Sequence, residues 1–153
     1  MKVTEALARR GGVATRAELE GMGCDPETLQ MAVDYGNAIK VRRGVYASLG
    51  TPELALRALR VGGLLACASA LEFYGIAGPS AKLHVQVAAN ASRFRIGDED
   101  VVLHWKRRRE YSGRLAVLPE TARRQARLCP HALVPQRGQQ ISIRAAPVER
   151  LSS

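Results

Sequence analysis

Residues 39–48, IKVRRGVYAS, decide how the first third of the chain reads. Ile39 and Val41 alternate with Lys40 and Arg42, and Val45 and Ala47 alternate with Tyr46 and Ser48. A period of two is that of a strand with one face turned to a core. Between the two runs stands Arg42-Arg43-Gly44, and glycine accepts the positive φ of a tight turn. The stretch therefore predicts a β-hairpin with a cationic tip, its two short strands carried by Ile39 and Val41 and by Val45 and Ala47.

Upstream the period becomes helical. Val3, Ala6 and Leu7 share one side of a short helix that Gly11-Gly12 ends. Thr15-Arg16-Ala17-Glu18 has the spacing of a capping box, in which hydroxyl and carboxylate each satisfy a backbone N–H, and it opens a helix from Arg16 to Met22. Asp25-Pro26-Glu27 supplies an N-cap, a proline at the first helical position and an acid in the first turn. The third helix runs to about Tyr35, with Leu29, Ala32 and Val33 inward and Gly36-Asn37 as the stop. Three helices and a hairpin, the second and third helices joined by a short glycine-containing turn, are the plan of a winged helix-turn-helix over residues 1–49.

Beyond residue 50 the pattern predicts a small α+β domain over residues 50–118. Thr51-Pro52-Glu53 opens a helix to about Val61, and Leu64 to Tyr74 reads as a second helix with Leu64, Cys67, Ala68 and Leu71 on its apolar face. Leu83–Val87 and Val101–Trp105 alternate as two strands, joined by a loop. His84 and His104 fall opposite the apolar set and are expected to be exposed. Residues 119–153 read as a basic helix, Pro119 to Leu128, and a weakly patterned tail in which Ile141–Ile143 is at best a short strand. The predicted fold class is thus α+β: a winged helix-turn-helix, a domain of two helices and two strands, and a basic tail.

Composition narrows the function. The chain has 153 residues, 46% hydrophobic and 24% charged, enough for a buried core. No apolar run approaches the ~18 residues that span a bilayer, and MKVTEALARRGG lacks the apolar stretch of a signal peptide; a cytoplasmic, nucleoid-associated protein is expected. Cys24, Cys67 and Cys129 are odd in number and widely spaced in sequence, so they read as reduced thiols, Cys67 as a small hydrophobe, without disulfide or zinc site. His84 and His104 with a nearby acid fall short of a convincing ligand set, and no cofactor is expected. No Ser, Cys or His stands in a catalytic frame and no Gly-rich phosphate loop comes after a strand, so the chain is not expected to be an enzyme.

The formal net charge is +9. Residues 1–50 hold seven basic and six acidic side chains, residues 51–105 five of each, and residues 106–153 eleven basic and three acidic. The excess, led by Lys106-Arg107-Arg108-Arg109 and continued by Arg114, Arg123, Arg124 and Arg127, favours a polyanion through counterion release. On the third helix Thr28, Gln30 and Met31 are placed to meet base edges, while Glu27 and Asp34 oppose phosphates. Lys40, Arg42 and Arg43 in the hairpin then compensate, the arginine fork fitting phosphate or a narrow minor groove.

The segment GGVATRAELEGMGCDPETLQMAVDYGNAIKVRRGVYAS resembles the N-terminal domain of AbiE-type (AbiEi) antitoxins, through Gly11-Gly12, Thr15-Arg16, the third helix and Val41-Arg42-Arg43-Gly44-Val45-Tyr46. Ser69-Ala70-Leu71 before Tyr74-Gly75-Ile76, and the two later strands, are similar to the stretch downstream of that domain in such proteins, extending the resemblance over about residues 5–105. It implies a repressor that binds double-stranded promoter DNA, in a bacterium or phage, and a region that counters a nucleotidyltransferase-type toxin. With the residue reading it makes Thr15, Arg16, Thr28, Gln30, Met31, Lys40, Arg42, Arg43, Tyr46, Lys106, Arg107, Arg108 and Arg109 the expected DNA-binding set, with a homodimer matching palindromic half-sites. Some members of the family carry a nuclease whose site needs an acid two residues before a lysine. Ala38, Ser80 and His104 precede Lys40, Lys82 and Lys106, so that activity is not expected. Two alternatives stay open: a protein-binding antitoxin or host-factor module without DNA contact, and a basic RNA-associated protein.

Overall fold

The computed structural model describes residues 1–91, 94, 100–106 and 112–132. Among these it contains six helices and two small sheets, a mixed α and β architecture. The chain divides into two compact units, Met1–Leu56 and Arg57–Ser153.

The first unit runs α1 (Val3–Arg9), β1 (Val13–Thr15), α2 (Arg16–Gly21), α3 (Pro26–Asp34), β2 (Ile39–Arg42) and β3 (Val45–Ala47). The capping box at α2 is formed: Glu18 N–H donates to Thr15 Oγ1 at 3.2 Å, and Thr15 N–H donates to Glu18 Oε2 at 2.8 Å. Asp25 Oδ1 accepts from Thr28 N–H at 2.8 Å and caps α3. Those bonds hold the Asp25 carboxyl below its ordinary pKa. β1 is an element the sequence did not reveal; three residues are too few to show a period. It pairs antiparallel with β3, which pairs on its other side with β2, giving the order β1-β3-β2. The register shifts between Lys40 and Arg42, and Gly44 takes a φ of 78° in the two-residue turn Arg43-Gly44.

One assignment is overturned. Tyr46 was expected on the DNA-facing surface, yet its side chain belongs to the core with Ala6, Leu7, Leu19, Leu29 and Ala32 and is 6% exposed. Ala14 and Lys40 are its cross-strand partners, so all three share a sheet face, and Ala14 joins the same core. Val13, Val41, Val45 and Ala47 are buried as well, so both faces of the central strand are covered. β1 closes the open edge of β3, while residues of α1, α2 and α3 cover the face that carries Tyr46.

α4 (Glu53–Val61) contains the boundary between the units. The second unit continues with β4 (Leu64–Leu65), α5 (Cys67–Phe73), β5 (Leu83–Val87), β6 (Val101–Trp105) and α6 (Pro119–Leu128). The helix expected from Leu64 begins instead at Cys67, because Leu64 and Leu65 pair antiparallel with Gln86 and Val85. Leu65 also exchanges hydrogen bonds with the 115–117 segment: its N–H donates to Leu115 O at 2.9 Å, and its carbonyl accepts from Val117 N–H at 2.8 Å. The sheet therefore has three strands in the order β4-β5-β6 rather than two, and β5 and β6 are parallel. Every residue of β5 is buried, as in a strand covered on both faces. α6 packs on α5, and its Thr121, Ala122 and Gln125 are buried. The expected strand at 141–143 lies outside the described residues.

Candidate functional site

Two regions carry chemistry, one in each unit. In the first unit the hairpin tip closes on the start of α2: Arg16 N–H donates to Gly44 O at 2.9 Å. That bond, with the pairing of Thr15 to Val45, brings Thr15, Arg16, Arg42 and Arg43 together. All four are exposed, as is Lys40 on β2. Thr15 is occupied as the α2 cap, and Arg16 reaches Glu20 at 2.8 Å. The Glu20 carboxylate holds the Arg16 guanidinium above its ordinary pKa.

α3 presents two outward sets. Glu27, Gln30 and Asp34 form a polar line in which Gln30 Nε2 donates to Asp34 Oδ1 at 2.8 Å. One N–H and the carbonyl oxygen of Gln30 are left for a partner. Around the helix Thr28, Met31 and Tyr35 line an open groove of about 310 Å³ together with Lys2, Val3, Thr4, Ala32 and Asn37. Met31 and Tyr35 are 49% and 75% exposed. Thr28, Gln30 and Met31 are each at least partly exposed. Lys106 is exposed at the end of β6, whereas Arg107, Arg108 and Arg109 lie outside the described residues.

The second region is a buried cluster. His84 and His104 were expected in solvent; they are 0% and 1% exposed. Parallel pairing sets Gln86 opposite His104, so His84, Gln86 and His104 share a sheet face, and α5 and α6 bring polar groups onto it. His84 Nδ1 and His104 Nε2 are 3.1 Å apart. Cys129 Sγ lies 3.9 Å from the first and 4.0 Å from the second. Cys67 completes the group, with one donor atom from each residue within 4.8 Å of the others. The outer nitrogens, His84 Nε2 and His104 Nδ1, have no hydrogen-bond partner among the described residues, so the polar contacts of both rings point into the cluster.

Cys67 is placed with unusual care. Its φ of 50° is the single positive value of a non-glycine residue among those described. That conformation costs about 1–2 kcal/mol for an L-residue and persists where surroundings impose it. Cys67 N–H donates to Gln125 Oε1 at 2.9 Å, and Gln125 Nε2 donates to Gln86 Oε1 at 3.0 Å. The two thiols, unpaired as cysteines, titrate in opposite directions. Cys129 is pulled far down by the hydrogen bond from Cys67 and by those from His104 and His84. Cys67 is pushed up by the same thiol–thiol hydrogen bond and by burial. Sequence spacing hid this cluster, because its members are separated by 16, 19 and 24 intervening residues and come from α5, β5, β6 and the residue after α6. The available signal was a histidine on the alternate face of each strand.

The first unit is thus a helical module closed by a small sheet, with cationic side chains at its hairpin tip. Residues 1–48 match the family described as transcriptional regulator, AbiEi antitoxin. The match agrees with the resemblance over those residues; the resemblance over residues 49–105 rests on sequence alone. No curated protein matches the chain. No helix among the described residues is long and apolar enough to cross a membrane.

Proposed function

We propose that the first unit is a winged helix-turn-helix that binds double-stranded DNA, and that the protein is a transcriptional repressor of the antitoxin type acting on its own operon or on a phage or plasmid promoter. One observation carries the reading: within the family match at residues 1–48, the Arg42-Arg43 tip is fastened to the start of α2 at Arg16, with Lys40 exposed on the same hairpin. The order α1-β1-α2-α3-β2-β3 supports it, being that of winged modules in which the third helix enters the major groove. In this assignment Gln30 and Thr28 contact base edges, and Lys40, Arg42, Arg43 and Arg16 meet phosphates. Lys106–Arg109 add charge, while Thr15 and Tyr46 act through the fold. Glu27 and Asp34 are tolerated where they accept from a cytosine amino group. The protein acts as a binding protein in the cytoplasm and not as an enzyme, pairs as a homodimer on palindromic sites, and takes a nucleotidyltransferase-type toxin as its protein partner.

The test is fluorescence anisotropy with a fragment of its own promoter and a shuffled duplex, at ~150 mM salt. Specific binding tighter by ~10³-fold or more is expected. Equal, steeply salt-dependent affinity for both duplexes refutes the repressor and leaves a charge-driven polyanion binder, RNA included. A second reading is favoured by one feature, the exposed Met31 and Tyr35 beside the acidic line of α3: an antitoxin surface that grips protein without DNA. Retention of a partner protein with no DNA binding at all identifies that case.

A further inference from the structure

We propose that Cys67, His84, His104 and Cys129 form a tetrahedral structural site for a divalent cation of the zinc class. The geometry fits. Tetrahedral zinc with Zn–N of about 2.0–2.1 Å and Zn–S of about 2.3 Å needs donor–donor edges of roughly 3.3–3.8 Å. The nitrogen–nitrogen edge here is 3.1 Å and the two sulfur–nitrogen edges to Cys129 are 3.9 and 4.0 Å. The edges to Cys67 lie within 4.8 Å, so side-chain shifts of up to about 1 Å seat the ion.

The chemistry selects the metal. Two thiolates and two imidazoles suit zinc and exclude calcium and magnesium, which take oxygen. Four protein ligands close the shell, which marks a structural centre; a catalytic one keeps a position open. Burial agrees, since none of the four residues is more than 1% exposed and a substrate has no access. Binding replaces the two thiol protons, which leave to solvent, and the double charge of the cation neutralises both thiolates.

The rest of the cluster behaves as a supporting shell. Cys67 enters α5, His84 lies on β5, His104 on β6, and Cys129 stands just past the end of α6. One ion would fasten four elements. Gln125, one turn before Cys129, accepts from Cys67 N–H, so a single side chain orients the two elements that supply sulfur. The left-handed backbone at Cys67 is a strained conformation with a purpose in this arrangement: it aims the thiol at the histidines.

The experiment uses the full chain, purified under reducing conditions without added metal. Elemental analysis is expected to give one zinc per chain. After stripping with a strong chelator, one equivalent of cobalt(II) should give the intense visible bands of tetrahedral coordination and thiolate charge-transfer bands in the near ultraviolet. Cys129→Ser and Cys67→Ser should each remove about half of the charge-transfer intensity, whereas Cys24→Ala, in the first unit, should leave it whole. If a substituted chain does not fold, cobalt binding by the unsubstituted protein decides alone. A folded, cooperatively melting protein that holds no zinc and gives only the weak spectrum of octahedral cobalt overturns the proposal. So does isolation with Cys67 and Cys129 joined as a disulfide and no metal bound.

Discussion

Gly63→Ala is expected to damage the second unit for a reason of space alone. Gly63 sits just before β4, and its φ is not left-handed. A Cβ there would lie 2.2 Å from Gln86 O, 2.7 Å from Val85 Cγ1 and 3.0 Å from the Gln86 carbonyl carbon. Gln86 O is backbone in the central strand and has no rotamer to escape into. Restoring an ordinary contact means moving β4 from β5 by about 1 Å, which breaks the pairing of Leu64 with Gln86 and of Leu65 with Val85. Overpacking and one or two lost ladder bonds together give a destabilisation of about 2–4 kcal/mol. Trp105 is the sole tryptophan and pairs with Val87 of β5, so its fluorescence reports this unit. A urea titration monitored there should show a midpoint lower by about 1–2 M. Gly21→Ala is the control. Gly21 closes α2, a Cβ there meets nothing within 4 Å, and its φ is not left-handed either. It should be neutral or stabilising by up to ~1 kcal/mol in a measurement that reads the first unit, such as loss of helical circular dichroism. An unchanged tryptophan midpoint for Gly63→Ala would falsify the packing argument.

The geometry sets four further outcomes. Arg42→Ala with Arg43→Ala should weaken binding to all duplexes alike and flatten the plot of log affinity against log salt by about two units, checked by anisotropy across a salt series. Tyr46→Phe should leave DNA affinity unchanged, while Tyr46→Ala, which empties a core position, should destabilise by about 3 kcal/mol or more in urea unfolding. Thr15→Ala, by removing the hydroxyl that caps α2, should cost about 1 kcal/mol in the same assay. For pH, Asp25 is lowered in the folded state by hydrogen bonds from Thr28. Its contribution is complete above the ordinary carboxylate value of about 3.9 and is lost as pH falls through the lower folded value. Asp25→Asn should reduce the acid-side loss of stability below about pH 4, read from melting temperatures in a pH series.

Local signals were legible wherever a short stretch contains its own partners. The Thr15–Glu18 box, the Asp25 cap and the Gly44 turn each close within a few residues, so spelling and geometry coincide. What could not be read depends on distant elements. Tyr46 looked external because a lone hairpin leaves one face open; α1, α2 and α3, distant in sequence, cover that face. Leu64–Leu65 looked helical because a two-residue strand has no period; its identity comes from β5 and from residues 115–117. The Cys-His cluster was the least visible feature. Alternation correctly placed both histidines opposite the apolar set, but nothing in the spacing shows that two helices cover that face.

The parallel pairing of β5 with β6 also sets an order of events in assembly. β2 and β3 close over two residues, a loop of the kind that forms in microseconds. Parallel neighbours cannot be joined that way; the chain must return the whole length of the strand before the first ladder bond can form. Such closure slows a two-state folder. A ribosome releases the chain from its N-terminus at a few residues per second, so the hairpin-bearing half should reach its native state while the other half is still waiting for its last helix to emerge.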